Sequence, residues 1–334
     1  MAEENGSLLS VRNLFVEYQS GGEIIHAVNG VSFDLKRGSS LGLVGETGAG
    51  KTTIAKSIMS ILPDHATKSV RGEIFYEGSD LLKKPEKELQ KIRGEEISMV
   101  FQDPMTALNP VMKVGDQIAE GIRQHQGLSK AEARAAAVKM LETVGISEDR
   151  ADEYPHQFSG GMKQRVVIAI ALSCRPNLLI ADEPTTALDV TIQAQVLDLI
   201  KNLKKAQGTS MILITHDLGV VADTCDYVAV VYAGKIVERG TLEEIYDFPC
   251  HPYTKGLFAA IPQMEKKVRR LSPIEGLPPN PVDLPKGCYF SPRCPYATDR
   301  CKGEAPQEIY LGGTHYALCS ELDKEGKING PAGN

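Results

Sequence analysis

The chain has 334 residues, enough for one large domain or one domain with an appendage, and 42% hydrophobic residues support a sizeable core. A formal charge of −6 and 6% aromatics with no Trp disfavour a surface built on phosphate-pairing cations or stacked bases. No apolar run approaches the ~18 residues that span a bilayer, and Met1-Ala2-Glu3-Glu4-Asn5-Gly6 is acidic and polar, unlike a secretory leader. A cytosolic location is expected, with the seven Cys as reduced thiols or metal ligands.

The chain opens with β-type runs. Ile24-Ile25-His26-Ala27-Val28 and Val31-Ser32-Phe33-Asp34-Leu35 alternate in part and predict short strands. Leu41-Gly42-Leu43-Val44 is apolar on both faces, as in a buried strand. Gly45-Glu46-Thr47-Gly48-Ala49-Gly50-Lys51-Thr52 follows at once and matches Gly-x-x-x-x-Gly-Lys-Thr in full. Ile54, Ile58, Ile61 and Leu62 then recur at helical spacing and predict a helix from Thr52 to Leu62. Strand, glycine loop and helix form the context of a phosphate loop. Its glycines turn backbone N–H groups inward, Lys51 sets a cation against the outer phosphates, and the Thr52 hydroxyl ligates Mg²⁺. The helix that starts there adds its N-terminal dipole.

From about Pro104 to Cys174 the chain reads as a helical subdomain inserted into an α/β core. Ser129-Lys130-Ala131-Glu132 is a capping box, the Ala-rich stretch behind it runs to Val144, and Gly145 is a stop. In Phe158-Ser159-Gly160-Gly161-Met162 the serine caps a helix from Gly161 through Ala171. Leu178 to Ala181 and Met211 to Ile214 read as buried strands around a helix from Ile192 to Ala206, which implies a mainly parallel sheet. Asp182 ends the first of these strands, where a carboxylate holds Mg²⁺ directly or through water. Glu183, one residue on, is placed to orient the attacking water or accept its proton.

Ten prolines between Pro249 and Pro295 break up long helices, so this region must be held by something other than a large core. Cys288, Cys294, Cys301 and Cys319 have the form C-x5-C-x6-C-x17-C. Four thiolates can hold Zn²⁺ or an iron–sulfur cluster. No tight C-x2-C or C-x4-C pair is present, and the wide spacing suits a cluster. Arg293 and Arg300 are placed to offset thiolate charge. From about Asp323 the Lys/Gly/Asn-rich end is expected to be disordered.

Taken in order, these motifs resemble the ATP-binding cassette (ABC) family. Val100-Phe101-Gln102-Asp103 resembles its glutamine loop, with Gln102 on Mg²⁺ and sensing the γ-phosphate. Ile214-Thr215-His216-Asp217 resembles its switch loop, with His216 on the γ-phosphate. Pro184-Thr185-Thr186-Ala187-Leu188-Asp189 resembles the stretch whose last three residues meet their twin across a dimer. Tyr18 stands where the family stacks a ring on adenine. The resemblance implies an α/β phosphate-loop NTPase (RecA-like) core with an antiparallel β subdomain, an inserted helical subdomain and a small Cys-rich C-terminal extension. It also implies a head-to-tail dimer with two ATP molecules between the cassettes. Each site takes Gly45, Gly48, Gly50, Lys51, Thr52, Thr53 and Glu183 from one subunit. The other subunit supplies Ser159, Gly160 and Gly161, with Gln157 near the ribose.

Phe158 and Met162 depart from the commonest form, Leu-Ser-Gly-Gly-Gln, and resemble the dipeptide/oligopeptide importer branch. Asp247-Phe248-Pro249-x-His251-Pro252-Tyr253-Thr254 and Glu275-Gly276-Leu277-Pro278-Pro279 resemble that branch's C-terminal extension, whose Cys positions carry a [4Fe–4S] cluster in some members. The expected organisation is a nucleotide-binding domain over 8–250, the extension with its iron–sulfur site over 251–322, and a tail over 323–334. The expected partners are an identical or paralogous second ATPase subunit, two transmembrane permeases and, indirectly, an extracytoplasmic binding protein, at the cytoplasmic face of the membrane. The competing class is a non-transport ABC ATPase acting on nucleic acid or ribosomes. Such proteins carry a long coiled-coil insertion, a zinc module or tandem cassettes, and none is read here.

Overall fold

The computed structural model describes residues 6–186, 188–260 and 274–328. Two long strands, β1 (Ser7–Ser20) and β2 (Glu23–Lys36), precede β3 (Ser40–Val44), and α1 (Lys51–Ile58) follows the glycine loop. Then come β4 (Thr67–Tyr76), β5 (Ser79–Asp80), α2 (Glu86–Ile92), β6 (Ile97–Val100) and α3 (Pro104–Ala107). The helical stretch continues with α4 (Val114–Gln126), α5 (Lys130–Thr143) and α6 (Gly160–Leu172). The α/β pattern resumes with β7 (Leu178–Asp182), α7 (Val190–Gln207), β8 (Ser210–Thr215), α8 (Leu218–Thr224), β9 (Tyr227–Tyr232) and β10 (Lys235–Thr241). The end holds α9 (Leu242–Asp247), α10 (Pro252–Ala259), α11 (Asp299–Gly303), β11 (Glu308–Gly312) and β12 (His315–Leu318).

The chain divides into two compact units, the first built from residues 35–40 and 80–215 with the N-terminal residues to Leu8. Its β6, β7 and β8 pair in parallel, with Met99 opposite Ile180 and Ile180 opposite Ile212. These strands are buried throughout, which fits their continuous apolar runs. Helix α5 begins at the expected capping box: Ser129 accepts from the Glu132 N–H, and Glu132 accepts from the Ser129 N–H. It ends before Gly145, which takes φ 76°.

The second unit contains residues 9–34, 41–79 and 216 onward. Strands β2, β1 and β4 lie side by side, β1 antiparallel to β4. Strand β3 pairs in parallel with β9, β9 turns back on β10, and β10 pairs with β12, which pairs with β11. The two short strands expected at 24–28 and 31–35 are one strand, β2. Within it Gly30 takes φ 85°, where an added Cβ would stand 3.1 Å from the Phe15 ring.

Past residue 250 the chain stays tied to the preceding sheet, because β12 pairs with β10. Cys250, Ala317, Cys319 and Leu322 form a small core that Ile309, Leu311 and Ile328 cover. Residues 323–328, expected to belong to a disordered tail, make a turn. The Asp323 carboxylate accepts from the Glu325 and Lys327 N–H groups, and Leu322 bridges to Ile328. The rest of that tail lies outside the described residues.

Candidate functional site

The glycine loop leaves β3 at Val44, and three of its glycines occupy the left-handed region: Gly45 at φ 152°, Gly48 at 81° and Gly50 at 101°. A Cβ on Gly45 would meet the Val231 carbonyl oxygen at 2.1 Å, and one on Gly50 the Ala27 oxygen at 2.4 Å. Gly48 faces open space. These glycines let the loop lie flat on neighbouring backbone while its far side stays open. Lys51 Nζ donates to the carbonyls of Gly45 and Glu46 at 2.8 and 3.0 Å, so its ammonium is curled under the loop. Helix α1 has Gly50 at its N-cap and no side-chain cap, so its N-terminal dipole faces the loop. Thr52 and Thr53 are half-buried in that turn, and the Tyr18 hydroxyl donates to Thr53 Oγ1 at 3.4 Å. Tyr18 therefore stands beside the first turn of α1.

In the first unit, β7 ends on Asp182, which is 2% exposed. Glu183 follows at φ 45°, and its N–H donates to the Ile214 carbonyl at 2.8 Å. A left-handed conformation is costly for a residue with a side chain and is seen mainly where surroundings enforce it. Glu183 Oε2 accepts from Gln102 Nε2 at 3.0 Å and from Thr186 Oγ1 at 2.9 Å. The two residues expected to meet the γ-phosphate side of the site are thus brought together. Ala187 lies outside the described residues. His216 is exposed just past β8, ahead of Asp217, which caps α8.

Ser159 is the N-cap of α6, its hydroxyl accepting from the Met162 N–H at 3.4 Å. Gly160 has room for a side chain, the nearest atom to an added Cβ being 3.9 Å away. Gly161 does not: a Cβ would come 2.6 Å from Ile192 Cγ2 on α7. The second glycine therefore serves helix packing. Gly161→Ala is expected to destabilise the protein by about 1–3 kcal/mol. Urea denaturation would read this, with Ile192→Ala in the same chain recovering some of the loss. Gln157 is exposed, and its side-chain oxygen accepts from the Tyr154 N–H at 2.8 Å, a local structural task. The unusual Phe158 and Met162 share one partner. The Arg150 guanidinium lies 4.6 Å from the Phe158 ring centroid and donates to Met162 Sδ at 3.3 Å.

Cys288, Cys294, Cys301 and Cys319 line one cavity, together with Phe290 and Glu321. Burial pushes the Cys294 thiol up to about 12 and Cys319 up to about 11, and neighbouring thiols add to both shifts. Burial also raises Cys288. Backbone N–H groups oppose this: Phe290 and Ser291 donate to Cys288, Tyr296 to Cys294 and Glu321 to Cys319. Donors aimed at sulfur favour the thiolate, so the pocket suits a cationic group that makes the thiolates stable. Among the described residues no three of these sulfurs lie within 4.8 Å of one another. Tetrahedral zinc, with Zn–S about 2.3 Å, would draw them to about 4 Å.

Sequence reasoning missed two features. Arg293, read as an offset for thiolate charge, instead gives both terminal nitrogens to Glu46 of the glycine loop. Glu46 occupies a variable position of the loop pattern, so no motif marks it. The other feature is Glu238, 1% exposed, which accepts from the N–H groups of Cys250 and His251 and pairs with His315. Glu238, Cys250 and His315 bring ligand-type atoms within 4.8 Å, but these hydrogen bonds already account for the carboxylate.

Residues 28–186 match the ABC transporter family, and residues 237–301 match the oligopeptide/dipeptide transporter C-terminal region. The dipeptide transport ATP-binding protein DppD of Bacillus subtilis is 49% identical over 314 residues, covering 93% of this chain and 94% of the relative. The oligopeptide transport ATP-binding protein OppD of Haemophilus influenzae is 52% identical over 297 residues, covering 88% and 91%. The ATP-binding cassette MJ0796, solved as a dimer in a post-hydrolysis state with ADP and Pi, superposes with a TM-score of 0.63 at 29% identity. That match covers 70% of this chain and 98% of the cassette. The chain belongs to the ATP-binding cassette transporter family, in the group that carries the oligopeptide/dipeptide transporter C-terminal region.

Proposed function

We propose that this protein is the ATP-hydrolysing subunit of a dipeptide or oligopeptide importer. The observation that carries the reading is the joint match of the cassette and the C-terminal region, with relatives near 50% identity named as peptide-transport ATP-binding proteins. No helix among the described residues is long and apolar enough to cross a membrane. The translocation path therefore belongs to two permease partners, and this subunit docks on the cytoplasmic face. Exposed Phe101, Met105 and Val111, at 41%, 61% and 80%, support a permease contact beside the glutamine loop. An extracytoplasmic binding protein delivers cargo to the permeases, and nucleic acid has no place in the reading.

The chain's residues divide the work. Gly45, Gly48, Gly50, Lys51 and the first turn of α1 with Thr53 hold the phosphates, and Tyr18 supports adenine. Thr52, Gln102 and Asp182 hold Mg²⁺, which supplies charge neutralisation on the transferred phosphoryl group. Glu183 orients and deprotonates water, and His216 contacts the γ-phosphate. Exposed Ser159 and Gly160 at the α6 N-terminus offer N–H groups and a positive dipole to ATP held by a second cassette. ATP joins the two cassettes, and hydrolysis releases them. In vesicles carrying the subunit with its permeases, labelled peptide should accumulate only with ATP. Ser159→Arg should abolish accumulation and ATP-dependent dimers while leaving monomer ATP affinity within about threefold. Loss of ATP binding by that variant would refute the cross-subunit role.

The four-Cys cavity holds a [4Fe–4S] cluster in this reading. The N–H donors aimed at sulfur and the shared cavity of all four thiols support it. Its role is a structural staple for a segment with a small core. Protein purified without oxygen should be brown and contain about four irons, and Cys294→Ser should lose most of both. A colourless protein carrying zinc alone would replace the cluster by a zinc site.

A further inference from the structure

Arg293 is 4% exposed and forms a fork on Glu46: Nη1 donates to Oε2 at 2.7 Å and Nη2 to Oε1 at 2.9 Å. Its remaining donors are spent on fixed acceptors. Nε reaches the Glu275 carbonyl at 3.0 Å, Nη2 the Ile274 carbonyl at 3.3 Å and Nη1 the Tyr232 hydroxyl at 3.3 Å. Glu46 is also held through its backbone. Its N–H donates to the hydroxyl of fully buried Tyr253 at 3.0 Å. The Tyr253 ring packs on Tyr232 and Phe290, with centroids 4.5 and 5.4 Å apart. The Glu46 carbonyl accepts from Lys51 Nζ at 3.0 Å. One loop residue is thus fixed at its N–H and its carboxylate by side chains of the extension, 207 and 247 residues away in sequence.

This contact has two physical consequences for a phosphate-binding loop. A glycine-rich loop has many conformers to lose when it closes on a ligand, and fixing one residue at two points removes some of that cost. A free carboxylate beside the loop would also repel a triphosphate, and the guanidinium neutralises it and turns it away. We propose that Arg293, acting through Glu46, is a positioning residue of the nucleotide site, so that ATP affinity depends on the C-terminal extension. Arg293 directly precedes Cys294, so disorder in the thiol site reaches the loop through one peptide bond. The inference rests on Gly45–Thr52 being the ATP site and not on which metal the thiols hold.

The test is the Kd of a fluorescent ATP analogue for the full-length protein, with kcat and KM for ATP alongside. Arg293→Ala should raise Kd and KM about tenfold and change kcat less. Arg293→Lys keeps the charge without the fork and should fall between. Adding Glu46→Gln to Arg293→Ala should recover some of the affinity, because the repelling carboxylate is gone. A merely structural role gives no such recovery and lowers kcat and melting temperature together. The proposal is overturned if Arg293→Ala and Arg293→Lys both bind within about twofold of the parent, or if Glu46→Gln adds to the loss. Lys51→Ala separates the two readings: if it also binds normally, the ATP-site assignment itself fails.

Discussion

Glu183→Gln is expected to bind ATP as the parent does and to hydrolyse it about 10²–10⁴-fold more slowly. The amide oxygen still accepts from Gln102 and Thr186, which now meet the carboxylate at 3.0 and 2.9 Å. The backbone at φ 45°, tied to the Ile214 carbonyl, needs no change either. What disappears is the group that takes a proton from water. Loss of fold is thereby separated from loss of chemistry, and the variant should accumulate as an ATP-bound dimer. A single-turnover experiment with labelled ATP reads the effect directly. Hydrolysis at the parental rate would show that another group activates the water.

The catalytic half of this protein was legible because its chemistry imposes spacing. A phosphate loop needs a strand, glycines with left-handed φ and a helix start, and Gly45 to Lys51 supplies them in order. The Asp182–Glu183 pair alone reads as a solvated strand end, and it is the four apolar residues before it and Pro184 to Asp189 after it that mark it out. Local signals also served where the local rule is strong, as at the Ser129 capping box. The extension was recognisable by its motifs, but its strands were illegible for the opposite reason. Strands β11 and β12 are short and weakly patterned, and a lone hairpin of that length would be marginal in water. They exist because β10 offers an edge, which is a tertiary fact. Glu46 falls at a variable position of the loop pattern and Arg293 reads as an offset for thiolate charge, and only folding brings the two together.

Glu238→Leu is expected to cost about 3–5 kcal/mol, the largest stability loss anticipated for a single change among the residues that hold the extension. Strand β10 shifts register between Ile236 and Glu238, and this irregularity sets the direction of the glutamate. At 1% exposure its carboxylate accepts from the Cys250 N–H at 2.7 Å, the His251 N–H at 2.9 Å and the His315 ring at 2.8 Å. The first two begin the α10 segment and the third lies on β12, so one side chain joins β10 to both ends of the extension. Burial lowers His251 to about 4, with Glu238 partly opposing, so its ring is neutral near pH 7 and its Nδ1 can accept from the Tyr253 N–H at 3.1 Å. Tyr253 in turn holds Glu46. Leucine fills the volume but leaves two backbone donors and one imidazole without an acceptor in a dry site. Glu238→Gln keeps one acceptor and should fall between. Urea denaturation and limited proteolysis of residues 274–328 read the loss, and an unchanged midpoint for Glu238→Leu would deny the carboxylate its anchoring role. Nucleotide affinity should weaken in step, because the same substitution loosens the seat of Tyr253 beneath the phosphate loop.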